Sequence, residues 1–186
     1  MQKKLIFISG TIGSGKSTLS EKIVYSLPNS IMLDGDWCFH QGKTWYFDED
    51  TKDMAINNII VLLNSYISNP NFENIIFCWT LHKQEILDKI FNSLIQNFDF
   101  YHFSLMCSDE IISERIIKRS IDRSKRLDIP YSAYDIQKDI DDAIDKKPFY
   151  YENDAIKLNG DDTLDNLYET VVSNINLSDK KCRTLN

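Results

Sequence analysis

The sequence predicts an α/β domain in three layers, with a five-stranded parallel sheet flanked on both faces by helices. Apolar, β-prone runs alternate with amphipathic stretches along the 186 residues, as expected when a crossover helix follows each strand. The run 75–79 is apolar throughout, which is typical of a strand buried on both faces of a parallel sheet. All four prolines fall between the predicted elements or in loops, so none interrupts a strand or a helix.

The predicted elements follow one another in order. Strands are expected at 5–8, 31–33, 75–79, 100–106 and 155–158. Helices are expected at 17–27, at 50–67 with Asp50 or Thr51 as the cap, at 83–97, from Ser108, from Ser132 and at 162–176. Ser132 and Asp135 form a capping-box pattern, and Pro148 is expected to end the helix that they begin. We expect a single domain over 1–177 and a frayed tail over 178–186.

Composition and charge narrow the class of protein. The formal net charge of −7 argues against a surface that binds nucleic acid non-specifically. The four cysteines are scattered without a C-x-x-C pair, which favours reduced thiols over a zinc site or disulfides. No signal peptide and no apolar run of transmembrane length is recognisable. We therefore expect a cytoplasmic monomer or homodimer whose partner is a small molecule rather than nucleic acid or a membrane.

The glycine-rich stretch after the first predicted strand carries the strongest chemical signal. It reads Gly10-Thr11-Ile12-Gly13-Ser14-Gly15-Lys16-Ser17, followed by Thr18, and fits the phosphate-binding pattern G-x-x-x-x-G-K-[ST]. Glycines let the main chain approach a phosphate closely, and the following helix adds the positive end of its dipole. Lys16 is expected to reach the β- and γ-phosphates, and the Ser17 hydroxyl to hold Mg²⁺. The motif predicts a P-loop NTPase fold that binds ATP, with GTP as the open alternative, across 10–18.

Two carboxylates follow the second predicted strand, in Asp34-Gly35-Asp36. Ligands of open parallel sheets bind beyond the carboxyl ends of the strands, so this position favours a functional role over a plain D-G turn. A carboxylate there can accept the proton of an attacking hydroxyl or help to hold Mg²⁺. Asp36 is the candidate base and Asp34 the candidate metal partner, although the sequence does not choose firmly between them. No Walker-B aspartate follows the central strand, so one of these two must serve any metal ion.

A basic segment forms the second strong signal. Five cations lie within nine residues of an otherwise acidic protein, namely Lys118, Arg119, Arg123, Lys125 and Arg126. In a continuing helix, Arg115, Arg119 and Arg123 lie on one side. Arginines that close over a transferring phosphoryl group neutralise its developing charge. We interpret 118–132 as a lid in which Arg119, Arg123 and Arg126 are catalytic, the alternative being a solvated helix face.

The expected acceptor region, 34–82, contains no arginine, because Arg115 is the first arginine of the chain. Arginine usually clamps a phosphate or carboxylate group, so its absence favours a neutral or cationic acceptor. The region instead carries aromatic and acidic side chains, and aromatic faces suit a flat base or a sugar face. The candidate substrate contacts are Asp36, Trp37, Phe39, Trp79 and His82.

A glycine-containing turn follows the last predicted strand, at Asn159-Gly160-Asp161-Asp162. A turn there would let backbone groups near Gly160 contact an adenine ring. A plain αβ turn that ends in a helix cap explains the same residues equally well.

With these residues together, the chain resembles the small-molecule kinases of the nucleoside-monophosphate-kinase fold, and is most similar to gluconate kinases and adenylyl-sulfate kinases. Those families carry G-x-x-G-S-G-K-S-T and D-G-D, here at 10–18 and 34–36. The run 78–83 resembles the C-S-A-L-K segment of gluconate kinases, and Arg115 with Arg119 resembles their R-x-x-x-R helix. The resemblance implies that Arg115 flanks the adenine and that the later arginines contact phosphates. Looser similarity extends to antibiotic-modifying phosphotransferases and nucleoside kinases.

The stretch 37–50 lacks the H-P…K-M pattern of gluconate kinases, so the acceptor has to be inferred from the site. The leading hypothesis is an ATP-dependent kinase of a small hydroxyl-bearing acceptor such as a nucleoside, a sugar or an antibiotic. A nucleotide-dependent regulatory ATPase or switch is an alternative, although D-x-x-G, N-K-x-D and L-S-G-G-Q motifs are absent. A polynucleotide-end kinase is a further alternative that the basic segment allows and the net charge opposes.

Overall fold

The protein, analysed as a computed structural model, is built on a five-stranded, all-parallel sheet with the strand order β2-β3-β1-β4-β5. The structure describes residues 2–42, 46, 48–128, 130 and 132–183. The strands are β1 Lys3–Gly10, β2 Ser30–Asp34, β3 Asn74–Cys78, β4 Phe98–Met106 and β5 Ile156–Asn159. The helices are α1 Lys16–Ser26, α2 Glu49–Ser68, α3 Gln84–Asn92, α4 Asp109–Leu127, α5 Ala133–Asp145, α6 Lys147–Glu152 and α7 Leu164–Arg183. The predicted fold class is confirmed.

The central strand β1 separates two apolar layers. Ile6 and Ile8 point to one face of the sheet, where α1 and α7 cover them with residues such as Ile23 and Val171. Leu5 and Phe7 point to the other face and pack against α2 and α3. Because side chains alternate along a strand, this pattern requires a cover of helices on both faces. The helices therefore form the outer layers of a three-layer fold.

Helix boundaries differ from the predicted ones where side-chain caps or long-range hydrogen bonds decide them. The cap of α2 is Asp48, whose carboxylate accepts from the Thr51 N–H at 2.8 Å, and not Asp50 or Thr51. Helix α3 ends at Asn92, short of the predicted Asn97, because Asn64 bonds the Ser93 carbonyl and the Ile95 N–H. The predicted capping box at Ser132 and Asp135 is present at the start of α5.

Three further segments are helical where the sequence predicted none. Residues Gly35–Phe39 form a 3₁₀ helix directly after β2. Pro148 follows the end of α5 and lies in the first turn of the next helix, α6. A proline is tolerated there because the first N–H groups of a helix have no partner within the helix. Helix α7 continues to Arg183, through the first part of the expected tail.

The basic segment belongs to the last turns of α4, which is continuous to Leu127. Helix α4 packs on α5 through Ile112, Ile116, Ile140 and Ala143. The interpretation of 118–132 as a lid stays a prediction. Three sets of residues lie outside the described part of the chain: 129 and 131 of this segment, 43–45 and 47 of the expected acceptor region, and 184–186 of the expected tail.

Two findings concern expectations drawn from composition. Cys38, Cys78 and Cys107 have free thiols. Among the described residues, no helix combines the length and the apolar character needed to cross a membrane.

A buried polar group lies directly beneath the glycine-rich loop. The Ser9 hydroxyl is fully buried, and its Oγ lies 2.9 Å from His102 Nε2 and 2.7 Å from Ser104 Oγ on β4. Burial, followed by the positive charge of Lys157, lowers the pKa of His102 to about 4. The neutral imidazole is therefore part of the hydrogen-bonded support under the loop.

Stability is expected to depend on pH through this histidine. Its pKa is about 4 in the folded chain and 6.5 when unperturbed, so the unfolded chain binds more protons between these values. The free energy of unfolding should fall by about 3 kcal/mol as the pH decreases from 7 to 4, since one pKa unit corresponds to about 1.4 kcal/mol. Urea unfolding at several pH values measures this loss.

The variant His102→Gln should flatten that pH dependence because it removes the titrating ring. The matched control is His40→Gln, which replaces an exposed histidine. An unchanged slope in His102→Gln would show that other groups are responsible for the pH dependence.

Candidate active site

The glycine-rich loop joins the end of β1 to the start of α1. Gly10, Gly13 and Gly15 have φ angles of 149°, 80° and 98°, which side chains rarely adopt. A Cβ on Gly10 would lie 2.6 Å from Ser14 Oγ, so that position also lacks space for a side chain. No side chain caps α1, and its first N–H groups are thus available to a ligand. The loop has the shape of an anion cradle.

The remaining loop residues complete this cradle. Lys16 Nζ donates to the Thr11 carbonyl at 2.7 Å, and burial lowers the pKa of its ammonium, opposed by Asp36 and Asp34. Ser14 Oγ is buried and has no hydrogen-bond partner within the described residues. A nucleotide phosphate fits this loop. It could accept hydrogen bonds from the Ser14 hydroxyl, from the Lys16 ammonium and from the first N–H groups of α1. Of the other predicted loop contacts, Ile12 packs against the α4–α5 cluster and Thr18 is exposed.

Ser17 and Asp34 meet across the sheet edge. Ser17 Oγ donates to Asp34 Oδ2 at 2.7 Å, and the other oxygen, Oδ1, accepts from the Asp36 N–H at 3.0 Å. A hydroxyl and a carboxylate are hard oxygen ligands that suit Mg²⁺. The described residues contain no cluster of three or more histidine, cysteine, aspartate or glutamate ligands. This pair fits Mg²⁺, which usually retains waters and binds substrate phosphates.

Asp36 lies beyond Asp34, in the first turn of the 3₁₀ helix. Its Oδ1 accepts from Trp79 Nε1 at 3.1 Å. Burial raises the pKa of the Asp36 carboxyl, and Asp34 raises it further, while Lys16, Trp79 and Arg119 act in the opposite direction. A carboxylate with a raised pKa that stands beside Lys16 and remains open to a ligand has the character of a general base.

Aromatic side chains surround this carboxylate. The Phe39 and Trp79 rings meet edge to face, with centroids 6.2 Å apart. Trp37 is 62% exposed and available to a ligand. In the described part of 34–82, the only lysine is Lys52, which is paired with Glu49 at 2.8 Å on α2. The acceptor side of the site is aromatic and acidic.

His82 lies away from these residues. Its Nδ1 is 3.1 Å from the Thr80 carbonyl, and its ring approaches Phe149 of α6 at 6.2 Å. It lines a cleft between the start of α3 and α6, together with Glu152 and Asn153. Burial lowers the pKa of its imidazole. The structure does not bring His82 into contact with Asp36, and its role as a substrate contact stays a prediction.

Arg115 connects three parts of the chain. Its guanidinium donates to the Ser14 carbonyl at 3.1 Å, to the Gly160 carbonyl at 3.1 Å and to Cys107 Sγ at 3.5 Å. These bonds join α4 to the glycine-rich, phosphate-binding loop (the phosphate loop, residues 10–17) and to the turn after β5. They bring together Arg115 and Gly160, the two residues expected to contact adenine.

Two residues of this junction were not predicted from the sequence. Cys107 Sγ donates to the Ser14 carbonyl at 3.5 Å, and a Cβ on Gly160 would lie only 2.3 Å from this sulfur. The Asp161 carboxylate accepts from the Ser108 N–H. Their place directly after β4 and β5 is the sequence signal that could have identified them, since strand ends define the ligand-binding edge.

Of the three arginines assigned to the lid, Arg119 is the one whose charge acts on Lys16 and Asp36. Burial is the largest cause of the pKa shifts of Lys16 and Asp36, and the charge of Arg119 contributes to both. Arg123 is half-buried and Arg126 is exposed. Within the described ranges, none of the three forms an ion pair with an acidic side chain.

Comparisons with known proteins bear on the family and on the fold. The family model of an AAA domain matches residues 6–137. No curated protein sequence matches the chain.

Solved structures share the fold at low sequence identity. A gluconokinase from Sinorhizobium meliloti 1021 is 14% identical over 98% of this chain and 97% of its own, with a TM-score of 0.65. A shikimate kinase from Acinetobacter baumannii, in complex with shikimate, is 16% identical over 97% and 96%, with a TM-score of 0.63. The tunicamycin resistance protein of Deinococcus radiodurans is 12% identical over 94% and 96%, with a TM-score of 0.62. The predicted resemblance to P-loop kinases is confirmed at the level of the fold.

Gly160→Ala is expected to destabilise the protein because the new Cβ meets Cys107 Sγ at 2.3 Å and the Met106 carbonyl oxygen at 3.3 Å. We expect a loss of about 1–3 kcal/mol, as for other overpacked positions. The matched control, Gly42→Ala, adds a Cβ with no atom of the described residues within 4 Å and should change stability by less than about 0.5 kcal/mol. Urea unfolding of both variants measures the difference, and equal stability would contradict the packing argument.

Proposed function

The chain belongs to the AAA domain family, and from this premise we propose that it is an ATP-dependent kinase. It transfers a phosphoryl group, with Mg²⁺, to a hydroxyl of a small neutral or cationic acceptor. The observation that carries the proposal is the convergence of three groups at one sheet edge. Lys16 lies in the phosphate loop, Ser17 bonds Asp34 at 2.7 Å, and Asp36 stands beside them within reach of their charges.

Each residue has a separate role in this reaction. Bound ATP and Mg²⁺ supply the phosphoryl group and the positive charge that neutralises its oxygens. The loop N–H groups and Lys16 bind the phosphates, and Ser17 with Asp34 would hold the metal ion. Asp36 accepts the proton of the acceptor hydroxyl. Arg119 stabilises the charge on the transferring group, and Arg123 and Arg126 support it from the same helix.

The charge of the site supports the proposed acceptor class. Asp34 and Asp36 are both carboxylates, and Lys52 is already paired with Glu49. An anionic acceptor would meet repulsion without an arginine clamp, whereas a neutral or cationic one would not. Trp37, Phe39 and Trp79 offer apolar faces for a sugar ring or a base. The fold shared with a tunicamycin resistance protein adds antibiotics to the acceptors worth testing.

The acceptor assay is the direct test of this proposal. ATP turnover with Mg²⁺ should rise strongly with one of several pools that contain nucleosides, sugars, sugar acids or antibiotics. Because Asp36 is the base, Asp36→Ala should lower kcat by about 10²–10⁴-fold, the usual contribution of a general base. Lys16→Ala should abolish turnover. Equal turnover in every pool would contradict a kinase of these acceptors and favour a regulatory ATPase.

The three arginines are expected to differ in their effects. Arg119→Ala should lower kcat by about 10²-fold, the scale for one donor that stabilises developing charge. Arg126→Ala is the matched comparison, since it removes an exposed arginine about two turns further along α4, and its effect should be smaller. A larger loss in Arg126→Ala than in Arg119→Ala would contradict the assignment.

A further inference from the structure

The Trp79 side chain rests on the backbone of Gly35. A Cβ built on Gly35 would lie 2.4 Å from Trp79 Cγ, 2.6 Å from Cδ1 and 2.8 Å from Cδ2. These distances are far below van der Waals contact, so no other residue at this position leaves the indole where it is. The φ angle of Gly35 is not in the positive range that favours glycine. Space for the tryptophan ring, and not backbone conformation, is therefore what requires glycine between Asp34 and Asp36.

The seated indole directs its only polar group at Asp36. Trp79 Nε1 donates to Asp36 Oδ1 at 3.1 Å, and indole nitrogen is a donor only. Oδ2 of Asp36 has no hydrogen bond from any residue that the structure describes. One oxygen of the carboxylate is thus held, and the other keeps its lone pairs for a ligand.

We propose that Trp79 is a positioning residue for the candidate base. Seated on Gly35, its indole N–H holds Asp36 Oδ1, so that Oδ2 is the oxygen presented to the acceptor hydroxyl. The inference rests on the proposed kinase function and deepens it by assigning the reactive oxygen. The acceptor O–H bond breaks with its proton passing to Oδ2. An O–P bond forms to the γ-phosphorus of the nucleoside triphosphate, and the bond to the departing diphosphate breaks.

The remaining groups around Asp36 do not hold it in this way. Asp34 of β2 accepts the Asp36 N–H and cannot donate to its carboxylate. Lys16 of α1 and Arg119 of α4 act on Asp36 through their charges, without a hydrogen bond to it. Cys38, on the same 3₁₀ helix, is a thiol whose pKa burial raises, so it stays protonated. Phe39 meets Trp79 edge to face and helps to keep the indole in its seat.

The first test is spectroscopic and requires no acceptor. The chain has three tryptophans, and a ¹H–¹⁵N spectrum at constant pH should show their indole N–H signals, with that of Trp79 identified by its loss in Trp79→Phe. We expect Asp36→Ala and Gly35→Ala each to move the Trp79 signal upfield, as expected when a bond to a charged acceptor is lost. The controls are Gly42→Ala and Asp88→Ala, an exposed carboxylate of α3 that is bonded to Gln84. A Trp79 signal that is the same in all four variants overturns the inference.

The second test is kinetic and uses the acceptor found in the pools. Trp79→Phe keeps an aromatic ring but removes the N–H, and should lower kcat about tenfold, in line with the loss of one hydrogen bond to a charged group. The KM for ATP should stay within about twofold, because the indole does not bind the phosphate loop. In the Asp36→Ala background the same substitution should have no further effect on kcat. Equal losses of kcat in both backgrounds would show that Trp79 acts by packing alone, and would overturn the inference.

The outcomes separate this inference from the proposed function. If the Trp79 signal moves in Asp36→Ala but the protein phosphorylates no acceptor, the positioning contact stands and the kinase proposal fails. If an acceptor is phosphorylated and Asp36 is essential, but Trp79→Phe retains full kcat, the kinase proposal stands and the positioning role fails.

Discussion

The parallel pairing of β1 with both β3 and β4 is the constraint on which the rest of the structure depends. It aligns Ile8 with Cys78 and Gly10 with Leu105, and the pairing of β2 with β3 aligns Asp34 with Cys78. All five strands therefore end at one edge. The phosphate loop, the two carboxylates and Trp79 follow these ends directly, so strand register brings together groups that are far apart in the chain.

Burial makes this edge chemically unusual. Lys16 and Asp36 lie close enough to affect each other, and burial lowers the pKa of the lysine while it raises that of the carboxyl. Both shifts favour the uncharged form, and the mutual attraction of the two groups opposes them. Lys16 of the glycine-rich loop and Arg119 of α4 both supply positive charge near Asp36. The neighbouring part of the edge carries the aromatic side chains Trp37, Phe39 and Trp79. The proposed division of the edge into a phosphate half and an acceptor half rests on this contrast.

Arg115 connects the glycine-rich loop to the turn after β5. One guanidinium reaches the carbonyl of Ser14 in the loop and the carbonyl of Gly160 after β5. The Cys107 thiol fills the space between them and leaves none for a side chain on Gly160. Any movement of α4 therefore acts on the phosphate loop and on the turn after β5 at the same time.

The sequence alone determined the strand–helix alternation, the phosphate loop and the capping box at Ser132, because each depends on residues adjacent in the chain. It also placed Asp34 and Asp36 at the ligand-binding edge, since that follows from topology. Only the tertiary structure decided which side chains meet: Trp79 with Asp36, Arg115 with Ser14 and Gly160, and His82 with Phe149 instead of the carboxylates. The end of α3 belongs to the same group, because the Asn64 side chain of α2 bonds the Ser93 carbonyl and the Ile95 N–H. Such contacts depend on strand register and on the direction of each side chain, which a local pattern of residues does not specify.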